Sequence, residues 1–228
     1  MIDAHTHILP NIDDGASSVE ESKEMLKMAY AQGGRVCIAT PHCVVHNNER
    51  IERFIKMRKK SYETLVKALE ETKQPFPQIV LGAEVYFDNN ICKYPDFEKL
   101  CIGDSKYMLV EIPSHISCRE IADWLYELTL AGVKPIIAHI DRCSDWLEIV
   151  KSLSDIDVIY QINASKFLTI GGRRFIRKFL CHNKPIIVGS DMHNTKKRPC
   201  NIGIAYKCAR KKFGEVSDYF FRVENGAE

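Results

Sequence analysis

The chain has 228 residues, 45% of them hydrophobic and 27% charged, with a formal net charge of +2. That length suits one domain with a sizeable core, and the near-balanced charge announces neither nucleic acid nor an anionic membrane. No apolar run approaches the roughly 18 residues of a membrane span, and the start of the chain lacks the basic stretch and apolar run of a secretory signal, so a cytoplasmic protein without membrane insertion is expected. In chain order, "IDAHTH" (2–7) reads as a first strand. "SSVEESKEMLKMAYAQGG" (17–34) predicts a helix capped by Ser17 or Ser18, with Glu20 or Glu21 completing a capping box and Gly33 ending it. "RVCIATPH" (35–42) is a short strand, and "NERIERFIKMRKKSYETLVKALEETKQ" (48–74) is the longest helical pattern. Its stripe is Ile51, Phe54, Ile55, Arg58, Tyr62, Leu65 and Leu69.

"PQIVLGAEVYF" (77–87) and "KYMLVEIP" (106–113) follow as strands. From there helix and strand alternate: "REIADWLYELTLAG", "VKPIIAHI", "SDWLEIVKSLSD", "DVIYQINAS", "RRFIRKFLCHN" and "KPIIVGSDMH", with "NIGIAYKCARKKFGE" as a closing helix. Continuously apolar strands alternating with helices indicate a parallel sheet covered on both faces. Seven or so such units without a Pro-, Gly- or Ser-rich linker predict an α/β fold, a single β/α barrel occupying residues 1–228 as one domain.

The nine cysteines are odd in number, irregular in spacing and without a C-x-x-C pair, which reads as reduced thiols in a cytosolic protein. None has an arginine six positions on, so the C-x5-R loop of cysteine-dependent phosphatases is excluded. The chemistry lies elsewhere. Nearly every strand ends in a side chain able to hold a metal: His5 and His7, then His42, Glu84, Glu111, His139, and finally Asp191 with His193. A two-residue period places His5 and His7 on one side of an extended chain. In a parallel barrel the carboxyl ends of the strands converge on one mouth, so eight imidazoles and carboxylates from six strand ends would meet there. One such residue after a strand is ordinarily a hydrogen-bonded rim group; six strands obeying one rule point to divalent ions that offset the cost of burying the cluster. His182, in "CHNK", reads as surface, whereas His46 and His115 lie in loops near the expected mouth.

The ordered set "DAHTH", "ATPH", "GAE", "LVE", "IAHIDR" and "GSDMH" resembles the polymerase and histidinol phosphatase (PHP) superfamily. "HTHILPNIDDGASSVEES", "GAEVYF", "IAHIDR" and "SDMHNTKKRP" resemble, more narrowly, its capsule-type bacterial tyrosine phosphatases, which depend on manganese. The likeness spans essentially the whole chain. It implies a distorted (β/α)7 barrel whose His5, His7, Asp14, His42, Glu84, Glu111, His139, Asp191 and His193 bind three divalent metal ions. Manganese is the family's metal; mixed imidazole and oxygen ligands equally suit Fe2+ or Zn2+. Asp13 stands beside Asp14, and only one of the doublet can point inward from an extended segment. Arg142 and Arg198 are implied as phosphate-binding residues; His42, His193 or a metal-bound water is a candidate proton donor to the leaving group.

The activity implied is hydrolysis of phosphotyrosine by a metal-activated hydroxide, with the tail of a bacterial tyrosine autokinase in capsule or exopolysaccharide synthesis as partner. The alternatives are a small-molecule phosphomonoesterase of the histidinol phosphatase kind and, with less support, a non-catalytic binder of phosphotyrosine tails. A nuclease is disfavoured because no basic track is evident. Two features depart from the family pattern: "CVVH" follows "ATPH", and the chain reaches "VENGAE" (223–228) where the family's last helix would begin.

Overall fold

The structure is a computed structural model that describes residues 1–222; the last helix implied by the resemblance lies outside them. The strands are β1 (Ile2–Thr6), β2 (Val36–Ala39), β3 (His42–Cys43), β4 (Gln78–Leu81), β5 (Glu84–Tyr86), β6 (Tyr107–Glu111), β7 (Lys134–Ile137), β8 (Ile159–Asn163) and β9 (Ile186–Gly189). The helices between and after them are α1 (Val19–Ala31), α2 (Asn48–Glu70), α3 (Cys118–Leu130), α4 (Trp146–Ser152), α5 (Ser165–Leu168), α6 (Ile170–Leu180) and α7 (Ile202–Phe213). The first helix starts as its sequence predicts, with the Ser18 side chain accepting from Glu21 N at 3.1 Å. Glu21 does not close a box on Ser18; its carboxylate reaches back to Ser17 N and Oγ.

All strand pairings are parallel, in two hydrogen-bonded groups, β1-β2-β4 and β3-β5-β6-β7-β8-β9. These groups are two stretches of one ring. β2 and β3 are a single path broken at Thr40–Pro41, and β4 and β5 a single path broken at Gly82–Ala83. Gly82 N donates to Ala39 O at 2.8 Å and Glu84 N to Pro41 O at 3.0 Å, carrying the pairing past both breaks. The first and last strands then meet through a parallel bridge between Thr6 and Met192. There His7 N donates to Met192 O (3.0 Å) and Asp191 N to His5 O (2.9 Å). Seven strand paths thus close on themselves, as expected of a distorted (β/α)7 barrel. The distortion sits at this seam, where the buried Asp3 carboxylate accepts from Ser190 N at 2.7 Å in place of a strand carbonyl.

Two apolar layers result from this ring. Ala4, Ile38, Leu109, Ile136 and Ile187 fill its interior. A larger outer core, including Leu26, Leu65, Leu125, Tyr160 and Phe179, lies between strands and helices. Several expectations need correction. "IATPH", "IIAH" and "IVGSDMH" do not run as unbroken strands to their last residues. The first breaks at Thr40–Pro41 before His42 pairs again in β3, and the other two stop at Ile137 and Gly189, with irregular backbone presenting the residues beyond. The β5–β6 crossover carries only two 3-10 turns, Ile91–Lys93 and Phe97–Leu100, in place of an α-helix. The short α5 has no counterpart in the sequence pattern. Arg58, placed on the apolar stripe of α2, is indeed buried, and its guanidinium donates there to Gly82 O (2.6 Å) and Lys99 O (2.8 Å). It thereby braces the break between β4 and β5. His182 is half-buried with its ring edge on Trp146 rather than free on the surface.

Gly189 sits where β9 passes the first strand, and a Cβ there would lie 2.5 Å from His5 Cβ and 2.8 Å from His5 N. Both obstacles belong to a strand held on two sides. Gly189→Ala is therefore expected to destabilise the metal-free protein by about 1–3 kcal/mol through overpacking; a urea denaturation midpoint indistinguishable from the parent would contradict this packing.

Candidate metal centre

Strand alternation explains half of the site. Along β2–β3 the inward residue Ile38 has the parity of His42, along β4–β5 Val80 that of Glu84, along β6 Leu109 that of Glu111, and along β9 Ile187 that of Asp191. Three histidines, His5, His7 and His139, have the wrong parity, and local irregularities turn them inward. In β1 the inward residues are Ile2 and Ala4, so strict alternation sends His5 outward with Asp3. The register between Asp3/Cys37 and Thr6/Ala39 instead sets three steps of β1 against two of β2. That bulge swings His5 and His7 inward, a use of bulges common beside functional sites. In the path after β7, Ala138 faces in, and His139 follows it with a left-handed φ of 32°. Asp191 also has a positive φ, 54°. Such backbone in non-glycine residues is held only where the surroundings over-determine it.

The side chains converge on Glu84, whose carboxylate is fully buried. Its Oε2 lies 3.2 Å from His5 Nε2, 3.3 Å from His7 Nε2 and 2.9 Å from His42 Nδ1, while Oε1 lies 2.8 Å from His139 Nε2. His139 Nε2 is also 3.5 Å from Glu111. On the seam side, Asp191 Oδ1 is 3.8, 3.6 and 3.5 Å from His5, His7 and His193 respectively. Asp14, mostly exposed at the rim, places Oδ1 3.3 Å from His42 Nε2 and 3.4 Å from His193 Nε2. All nine residues singled out as ligands are therefore brought together. His46 is 60% exposed and 3.8 Å from Asp88, and His115 is exposed; neither joins the cluster.

The donor set fits divalent ions better than it fits hydrogen bonding. Glu84 Oε2 and His193 Nε2 are buried without an aligned hydrogen-bond partner among the described residues. His5 Nε2 and His7 Nε2 face each other at 3.1 Å, and both point at the same space. Three groups of ligand atoms each lie within 4.8 Å of one another: His7, Asp14, His42 and His193; His5, His7 and Glu84; and His42, Glu84 and Glu111. The groups share His7, His42 and Glu84, so they form one continuous pocket of nitrogen and oxygen donors.

Supporting residues fix how those donors are presented, and most of them carry no motif in the sequence. Asp13 turns away from the cluster: its Oδ2 lies 2.7 Å from His7 Nδ1 and accepts from His42 N at 3.0 Å, and its Oδ1 accepts from Gly15 N at 3.0 Å. A carboxylate on Nδ1 leaves the Nε2 lone pair for the pocket. Gln161, fully buried, does the same for His5. Its Oε1 accepts from His139 N (2.6 Å) and faces His5 Nδ1 (3.1 Å), and its Nε2 donates to Asn163 Oδ1 (3.0 Å). One signal for it is present in the sequence: a glutamine at an inward position of the apolar run "IYQIN", on the one strand that supplies no ligand. Asn194 Oδ1 accepts from the backbone N–H of Lys196, Lys197 and Arg198, folding the loop that carries Arg198. Arg198 Nη2 reaches Asp191 Oδ2 at 2.5 Å, and Arg142 Nη2 bonds the same oxygen. Asp191 thus turns one oxygen to the imidazoles and the other to two partly exposed guanidiniums.

Electrostatics follow from this crowding. Burial alone would lower His5, but the carboxylates of Glu84 and Asp191 raise it to about 9. The Glu84 carboxylate beside it lifts His42 to about 9 as well. Burial, with His7 and Arg198 nearby, holds His193 down at about 4. Burial favours a protonated Asp191, yet His5, Arg142 and Arg198 keep its carboxyl below the ordinary range.

A scan against family models matches residues 1–228 to the family described as "Capsular polysaccharide synthesis, CpsB/CapC". The chain belongs to the CpsB/CapC family. Among its relatives, the tyrosine-protein phosphatase CpsB of Streptococcus pneumoniae is 33% identical, with 99% of this chain and 96% of that protein aligned. The tyrosine-protein phosphatase YwqE of Bacillus subtilis is also 33% identical, over 96% of this chain and 87% of that protein. One solved member of the family superposes with a TM-score of 0.82 at 30% identity, covering 96% of this chain and 90% of the other; it comes from crystal structures of YwqE and CpsB described as "unique metal-dependent tyrosine phosphatases". The family's metal dependence agrees with the donor set found here.

Two measurements test this account. His5 and His42 carry folded pKa values of about 9, above the roughly 6.5 of a free imidazole. Their contribution to stability is therefore complete below about pH 6.5 and lost as the pH rises through about 9. The chelator-stripped protein should show a urea midpoint that falls across that window; a flat or rising midpoint would refute the assignment. Divalent ions compete with the same protons, so adding them should flatten the slope. Separately, Gln161→Leu should weaken divalent-ion affinity about 10–100-fold in a chelator competition, whereas Gln161→Glu, which keeps the acceptor, should stay close to the parent. Equal affinities for all three would remove Gln161 from the site.

Proposed function

We propose that this chain is a metal-dependent protein-tyrosine phosphatase acting in capsule or exopolysaccharide synthesis. It is a phosphoric monoester hydrolase, with residues 1–228 forming one catalytic domain. The observation that carries the reading is the position of Asp191, between a pocket of imidazoles and carboxylates and the paired guanidiniums of Arg142 and Arg198. His5, His7, Asp14, His42, Glu84, Glu111, His139, Asp191 and His193 would hold the ions, three in number as the resemblance to the PHP superfamily implies; seven of these residues fall in the overlapping ligand groups. Manganese is the metal proposed, with Fe2+ and Zn2+ as the chemically reasonable substitutes. Bound divalent ions supply Lewis acidity towards phosphoryl oxygens and lower the pKa of a coordinated water.

The chain's own residues do the rest. Glu84 faces four of the imidazoles and sets the spacing of the donor groups. Arg142 and Arg198 are exposed enough to turn from Asp191 to an incoming phosphate, where planar forks match its oxygens and absorb charge as it shifts in the transition state. Of the two proton-donor candidates, His42, 37% exposed at the mouth and with its pKa raised to about 9, suits protonation of the departing phenolate, whereas burial that holds His193 at about 4 counts against it. A phenolate leaving group, with a pKa near 10, needs less such help than an alkoxide. The family's role in capsule synthesis makes the phosphorylated tail of a bacterial tyrosine autokinase the proposed partner, and a cytoplasmic location the proposed setting. Among the described residues no helix is long and apolar enough to cross a membrane.

The test is phosphate release from a phosphotyrosine peptide by chelator-stripped protein. Activity should return with Mn2+ and fall by at least about 1,000-fold in His7→Ala, since removing a ligand abolishes charge stabilisation worth several kcal/mol. Release from histidinol phosphate but not from the peptide would favour the small-molecule alternative. Peptide binding without release would favour a non-catalytic binder.

A further inference from the structure

The modest net charge hides a strong asymmetry. From Val158 to Phe213 the sequence holds thirteen Lys and Arg residues and a single acid, Asp191. Four of the cations line one concave surface. Arg173, Arg174 and Arg177 of α6 and Lys212 of α7 surround a cavity of about 400 Å³ beside Ile170, which is 67% exposed. Arg173 gives one bond to Phe167 O at 2.9 Å. Among the described residues none of the four faces a carboxylate within ion-pair range, unlike Arg210 of α7, which pairs with Asp218 at 2.8 Å. Like charges gathered around an open cleft repel one another, and an anion entering it relieves that repulsion. Three guanidiniums favour groups with paired oxygens, carboxylates and phosphates above all. The Ile170 wall gives an apolar surface next to them.

The cleft is within reach of the catalytic mouth. Ile170 is seven residues beyond Asn163, at the carboxyl end of β8, so it can lie at most about 25 Å from that end of the ring. An extended peptide spans that distance in about eight residues. We propose that the α6–α7 cleft is a second binding site for the phosphorylated polypeptide substrate, taking a further phosphotyrosine or acidic side chain of the chain whose phosphotyrosine is in the mouth. This rests on the tyrosine-phosphatase reading. A discrete concave site lined by arginines fits an anionic side chain better than the flat anionic face of a membrane, which is the competing occupant.

The experiment compares the metal-loaded parent with Arg174→Glu/Arg177→Glu on three substrates: para-nitrophenyl phosphate, a five-residue phosphotyrosine peptide, and a fifteen-residue peptide carrying two phosphotyrosines ten positions apart. The variant should raise KM for the long peptide by about tenfold, as expected when two exposed ion pairs turn from attractive to repulsive. Its kcat on that peptide, and both constants on the two short substrates, should be unchanged. An unaltered KM for the long peptide, or an equal loss on all three substrates, would overturn the proposal. Binding of the fluorescent long peptide, measured by anisotropy in a His7→Ala background, separates this idea from the catalytic one. A drop in affinity caused by the two arginine changes there supports the cleft even if no phosphate is released by the parent. Co-sedimentation with phosphatidylserine vesicles that is lost in the variant, with peptide binding intact, would assign the surface to a membrane and overturn it.

Discussion

The structure depends on the burial of Glu84. A carboxylate removed from water at the centre of a barrel is expensive unless charge and hydrogen bonding compensate it, and here the neighbours are four imidazoles rather than a lysine or arginine. Imidazoles can neutralise an acid only by holding protons, and four of them cannot all do so at such close quarters without repulsion. Burial on its own would push Glu84 up; His5, His139 and His42 instead bring it well below its ordinary value. A group in that position is compensated by protons at one pH and by metal at another. The coupling between proton release and ion binding is thus built into the arrangement, not added to it.

The rest of the fold serves to aim side chains at that carboxylate. Alternation aims those of β3, β5 and β6 without special backbone, whereas Asp191, beyond β9, has a positive φ of 54°. His5 needs a bulge, and His139 needs left-handed backbone held by a hydrogen bond from its own N–H to Gln161. Gly189 gives room for the bulged strand, and Gly15 lies so close to His7 that a Cβ would meet its carbonyl oxygen at 2.2 Å. Irregularity in this barrel therefore clusters where function requires it, while the amino-terminal half of the ring packs Ile38, Leu109, Ile136 and Ile187 in ordinary fashion.

The same division separates what is legible in the sequence from what is not. The helices α1, α2 and α3, the parallel ring and eight of the convergent side chains are legible because apolar periodicity and strand-end placement are local signals; the ninth, Asp14, is implied only by the family resemblance. Parity is not: "IDAHTH" gives no hint that its register slips, and the two-residue spacing predicts correctly that His5 and His7 share a face without saying which face. The division of labour in the Asp13–Asp14 doublet is equally invisible. Adjacent acids are equivalent in sequence, and only the turn at Gly15, which bonds Asp13 Oδ1, decides that Asp13 orients His7 while Asp14 reaches the rim. Charge asymmetry is lost in the sum, since acids elsewhere in the chain offset the basic stretch from Val158 to Phe213, and no basic track stands out from the sequence.

The location of the site has a consequence for how the chain holds together. Ring closure between the first and last strands is its thinnest pairing, a single bridge at Thr6–Met192 supplemented by the Asp3 carboxylate. The pocket stands directly above it, taking His5 and His7 from one side and Asp191 and His193 from the other. The group of His7, Asp14, His42 and His193 joins ligands separated by almost the full length of the chain and is complete only when the ring is shut. Ion affinity is then folding free energy concentrated at the seam. A barrel closed by continuous strand pairing would need no such reinforcement, but it would also leave no irregular backbone there to carry Asp191 and His193 inward. The weak seam and the functional site require each other.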